Sequence, residues 1–130
     1  MFKFQVNIPL YNFKCSIIIA DEIEKVIARY MKRLKIGDFR DDEEYDGYAV
    51  FTPQAKYYLF YAIHSLTPNT IVHEISHIVD YILEHKDIEK TGEARSYLTG
   101  YISEKVFDFV LKNKLLISPY LEYKQVHMAE

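Results

Sequence analysis

Cysteine, basic excess and long apolar runs are all scarce in this chain, and each scarcity excludes a class of protein. Cys15 is the only cysteine in 130 residues, so no disulfide can form within the chain, which fits a reducing compartment. Sixteen Lys and Arg stand against nineteen Asp and Glu, a formal charge of −3. That balance lacks the basic footprint that duplex nucleic acid demands, so no nucleic-acid partner is expected. The sign comes from one segment. Without Asp41, Asp42, Glu43, Glu44 and Asp46, the nineteen acids become 14 against 16 bases, a balance of +2. The apolar run Ile17-Ile18-Ile19-Ala20 is far shorter than a membrane span. Met1-Phe2-Lys3-Phe4-Gln5 has neither a long apolar core nor a small-residue cleavage site, so no signal peptide is expected and a cytoplasmic location is. Repeats, low-complexity tracts and interdomain linkers are also missing. What is present is 49% hydrophobic and 27% charged, the composition of one globular domain over residues 1–130 that can bury a core without staples.

The periodicities predict an α+β order. Phe2, Phe4, Val6 and Ile8 alternate with polar residues as in a half-buried strand. Pro9 to Asn12 reads as a turn, and Phe13 to Ile19 as the returning strand of a hairpin. Asp21 to Lys35 reads as a helix with Ile23, Val26, Ile27, Tyr30, Met31 and Leu34 in one stripe. Asp21 and Glu24 are spaced as a capping box, and Gly37 is the expected stop. The acidic stretch after it reads as a solvated loop. Tyr48 to Thr52 and Tyr57 to Ile63 read as a second hairpin, and Thr67 to about Lys112 as two helices. Ser118 to Glu130 has no clear period.

One motif carries chemistry. His73-Glu74-Ile75-Ser76-His77 has the form H-E-x-x-H. Four residues on a helix turn through about 400°, so both imidazoles leave one face and can reach one ion. The intervening Glu then lies where it can take a proton from water polarised by that ion. At this His and Glu content an accidental match is expected in roughly one or two chains per hundred, and context lowers that figure. Thr67 is a good N-cap and Pro68 suits the first helical position. Ile71, Ile75, Ile78, Val79, Ile82 and Leu83 fall on one side of the helix, with His73, His77, Asp80 and Glu84 opposite.

Catalytic zinc takes three protein ligands and keeps one position open. The longer H-E-x-x-H-x-x-G-x-x-H pattern is absent, since Asp80 and Leu83 stand where Gly and His would be needed. His64, His85 and His127 are distant alternatives. Glu93 is the better candidate: it opens the last helix, with Thr91 as its expected cap. Glu93 shares a face with Tyr97, Gly100 and Glu104, opposite Leu98, Ile102, Val106 and Phe109. Gly100 on that face is expected to let two helices approach closely, and Glu104 is the competing ligand. Asp80, one turn beyond His77, reads either as a carboxylate that orients an imidazole or as an ordinary exposed polar residue. Tyr97, Tyr101 and Arg95 are the candidates for an oxyanion donor.

Thr70 to His77 resembles the active-site helix of the zincin metallopeptidases, in the branch with a Glu ligand. Gly92-Glu93-Ala94-Arg95-Ser96-Tyr97-Leu98-Thr99-Gly100-Tyr101 resembles the Glu-Ala-x-x-Tyr-Leu-x-Gly-Tyr stretch of small phage and bacterial zincins. The resemblance implies a minimal zincin-like α+β domain, with two antiparallel β-hairpins and three main helices. It implies Zn²⁺ held by His73, His77 and Glu93, with Glu74 as general base for hydrolysis of a peptide or protein substrate. The edge strand from Tyr48 to Thr52 would align an extended substrate. The alternative it leaves is a non-catalytic zincin-fold protein, a metal-binding structural or interaction component such as part of a phage particle. A phage-encoded chain would work in the host cytoplasm or in the virion. No membrane partner is expected.

Overall fold

The computed structural model describes residues 1–37, 39–86 and 92–117. Four strands and three helices follow in the order β1 (Phe2–Ile8), β2 (Phe13–Ala20), α1 (Ile23–Leu34), β3 (Gly47–Phe51), β4 (Tyr57–Ala62), α2 (Pro68–His85) and α3 (Glu93–Lys112). A single 3₁₀ turn, Ile63–Ser65, links β4 to α2. The expected α+β content is therefore observed, and both expected hairpins form as antiparallel pairs.

The hairpins join into one mixed sheet of order β1-β2-β4-β3, because β2 and β4 pair in parallel from Cys15–Tyr57 to Ala20–Ala62. The sheet has a helical layer on each face, so its two central strands are covered on both sides. Cys15, Ile17 and Ile19 of β2 join Tyr57, Leu59 and Tyr61 of β4 against α2 and α3. Ile18, Ala20, Phe60 and Ala62 face α1. This double burial explains why Ile17 to Ala20 is an unbroken apolar run while β1, at the edge, alternates. On β1, Phe4 stacks on Phe109 of α3 with ring centroids 4.0 Å apart.

Helix boundaries correct two expectations. Asp21 does not cap α1. The N-cap position belongs to Glu22, without a side-chain cap hydrogen bond, and the Glu22 carboxylate pairs instead with Lys25 Nζ at 3.2 Å. Fully buried Ile23 is the first helical residue, which places the helix start one residue too late for a box from Asp21 to Glu24. Nor is Gly37 the stop. Lys35 takes the left-handed conformation (φ 57°) and closes the last turn, with Gly37 (φ 52°) following as a second left-handed residue. The α2 signals hold: Thr67 accepts from the Thr70 amide at 3.2 Å, and Pro68 occupies the first turn.

The apolar side of α2 is buried as expected, and α3 contributes Leu98, Ile102, Val106 and Val110. Gly100 departs from expectation. A β-carbon there would meet nothing within 4 Å, so this glycine does not mark a close helix contact. The acidic residues Asp41 to Glu44 and Asp46 are exposed, as a solvated loop requires. No helix among the described residues is long and apolar enough to cross a membrane. Thr91, His127 and the stretch 118–130 lie outside the described residues.

Candidate metal and catalytic site

His73, Glu74 and His77 sit in the middle of α2, and the helix does what the four-residue spacing requires. His73 Nε2 and His77 Nε2 lie 3.3 Å apart, with their rings nearly perpendicular. Two nitrogens each 2.0–2.1 Å from a tetrahedral ion are separated by about 3.3–3.4 Å. The separation is that of a hydrogen bond between the two rings, and it also matches the edge of a zinc tetrahedron. Both are exposed, His73 with 62% of its side chain accessible, so the pair opens to solvent on one side. Ser76 donates to the His73 carbonyl at 2.7 Å and ties off that turn.

Glu74 is different. It is only 8% exposed and, with Thr52, is one of two buried polar residues among those described. Its carboxylate lies 3.9 Å from His73 Nε2. Burial pushes the Glu74 carboxyl above its ordinary range, His73 and His77 draw it back, and Asp46 pushes it up again. The cover over Glu74 is β3. A β-carbon at position 47 would come within 2.7 Å of Glu74 Cγ and 3.2 Å of the Phe60 carbonyl oxygen, so only glycine fits there. Asp46, just before it, is held by a 2.8 Å hydrogen bond from Ser65 Oγ.

Between β3 and α2 runs a small open cleft of about 200 Å³, lined by Gly47, Tyr48, Ala49, Glu74, His77 and Tyr81. Since β3 is the last strand of the sheet, the cleft follows a sheet edge. Gly47 and Tyr81 were not singled out in the sequence. Tyr81 could have been, since it lies one turn beyond His77 on the same face. Gly47 gives no such signal, because its role depends on a neighbour distant in the chain.

The remaining candidates are placed as follows. Asp80 does not orient an imidazole. Its Oδ1 accepts from Arg95 Nη2 at 2.6 Å, joining α2 to α3. Tyr97 stacks on Tyr101 and meets Tyr11 edge-on, and neither Tyr97 nor Tyr101 lines the cleft. His85 approaches Tyr57 Oη at 3.3 Å through Nδ1, and His64 is exposed in the 3₁₀ turn. Glu93 is the exposed first residue of α3, after Gly92 at φ 79°, and Glu104 is exposed farther along it. Among the described residues no three His, Cys, Asp or Glu side chains form a group that could hold a metal, so Glu93 is not gathered with the two imidazoles. Comparisons with known protein families, with curated proteins and with solved structures return no match for this chain.

Proposed function

We propose that this chain is a minimal zincin-type metallopeptidase. The observation that carries the reading is the 3.3 Å separation of the two Nε2 atoms beside a buried carboxylate at a sheet edge. Nitrogen donors at that spacing suit zinc. His73 and His77 would hold the metal; Glu93, the third ligand the resemblance implies, stands apart from them in this structure and would have to approach from the start of α3. When bound, zinc would polarise the attacking water and the scissile carbonyl. Glu74 would take the proton from that water and return it to the leaving amine. An extended peptide adds to β3, and the small cleft favours backbone and short side chains over bulky ones. Tyr81 on the cleft wall supplies a hydroxyl toward the developing oxyanion.

Glu74→Gln tests the assignment. Zinc content and melting temperature should stay near wild type, while peptidase activity falls by about 10²–10⁴-fold, the usual share of a positioned base. Loss of zinc in that variant would make Glu74 a ligand and defeat the role assigned to it. Glu93→Gln should weaken zinc binding by about tenfold or more, and Glu104→Gln should leave it unchanged. The exposure of Glu93 favours a second reading, a zincin-fold scaffold without turnover. It predicts no cleavage of unfolded peptides by the zinc-loaded wild type.

A further inference from the structure

A second cleft, of about 510 Å³, lies beyond the C-terminal end of α2, at the turn ends of both hairpins. Three lysines reach it from three elements: Lys14 on β2, Lys56 immediately before β4, and Lys86 immediately after α2. Cys15 pairs with Tyr57 in parallel register, so Lys14 and Lys56, one residue earlier, stand side by side on neighbouring chains. Like charges in that position repel. The turn that presents Lys56 is tightly built: the Thr52 amide bonds the Lys56 carbonyl at 2.9 Å, and Ala55, at φ 59°, bonds back to Thr52. Lys86 Nζ lies 5.5 Å above the Phe13 ring, a contact that holds the ammonium at the cleft without neutralising it. None of the three is ion-paired among the described residues. Among the described residues the lining contains no carboxylate; its other polar groups include the amides of Gln5, Asn12 and Gln54 and the hydroxyl of Ser16.

We propose that this cleft binds a phosphorylated small molecule, with the phosphate at the paired Lys14 and Lys56 on the α1 side of the sheet end and Lys86 reaching the same cleft from the α2 side. Three cations exceed what one carboxylate can balance and match a phosphate dianion, for which lysine is a common point-charge partner. Neutral amides and a hydroxyl around them can donate to the remaining oxygens or hold the organic part. The cleft lies beyond the C-terminal end of α2 and shares no lining residue with the cleft at His77, so the inference is independent of the metal site.

The test is an amide chemical-shift titration of the whole chain with inorganic phosphate, adenosine 5′-monophosphate and adenosine. Phosphate and the monophosphate should shift residues 12–16, 54–58 and 86, and adenosine alone should not. The pair Lys14→Gln with Lys56→Gln should weaken binding by about tenfold or more, and Lys86→Gln alone should weaken it also. Removing a repelling pair should not lower the melting temperature, and a control pair on α1, Lys25→Gln with Lys32→Gln, should bind as wild type. Three results would overturn the proposal: no shift up to about 10 mM at low salt, shifts centred on His73 and His77 instead, or unchanged affinity in the cleft variants.

Discussion

Helices α1 and α2 follow the same amphipathic rule on opposite faces of one sheet, and only one of them carries a candidate site. The apolar stripe of α1 (Ile23, Val26, Ile27, Tyr30, Met31) and that of α2 (Ile71, Ile75, Ile78, Val79, Ile82, Leu83) are both buried, that of α2 completely. Their polar sides differ. Lys25, Arg29, Lys32 and Arg33 of α1 stand in solvent. On α2 the strand β3 closes over part of the polar side, so Glu74 is buried beside two exposed imidazoles. The chemistry of a helix face is therefore set less by its residue types than by what folds across it. A carboxylate in water is ordinary, whereas one under a strand has a raised proton affinity and a fixed place.

The shared part of that comparison should give the largest effects on stability. Ile27→Ala and Ile75→Ala should each cost about 2–5 kcal/mol in denaturant unfolding, because each removes a fully buried side chain. A large inequality between them would mean that the two layers are not equivalent cores.

The difference between the faces should appear at Gly47. Gly47→Ala introduces a β-carbon at 2.7 Å from Glu74 Cγ, so the carboxylate must move. Under the proposed function, peptidase activity should fall by about 10–100-fold while His73 and His77 still bind zinc, since misplacement of a reacting group by about 1 Å costs on that order. Gly100→Ala, with open space around it, should instead stabilise α3 by up to about 1 kcal/mol. Equal effects at both glycines would remove β3 from the account of Glu74.

The helix starts offer a smaller contrast. Thr67→Ala should destabilise by about 1 kcal/mol through loss of the bond to the Thr70 amide, whereas Glu22→Ala, which removes no such cap, should cost only a few tenths. Thermal melts of the two variants would separate them. Smallest of all, Arg29→Gln on the solvated face of α1 should change stability by no more than about 0.5 kcal/mol.

The sequence by itself determined what short-range periodicity and capping can encode. Alternation in Phe2–Ile8, the stripes of α1 and α2, the Thr67-Pro68 start and the one-face placement of His73 and His77 are local, and the structure contains all of them. Where local signals competed, burial decided: Ile23 had to enter the core, so α1 starts there and Asp21 is left without a capping role. Tertiary structure alone decided the rest. The parallel pairing of β2 with β4 joins residues far apart in the chain, and double burial of both strands selects it. That pairing sets Lys14 beside Lys56. It also carries β3 to the sheet edge over Glu74, where only glycine fits at position 47. Asp80 turned to Arg95 for the same kind of reason: on the packed helix pair a guanidinium was within reach, and no count of residues along α2 could show it.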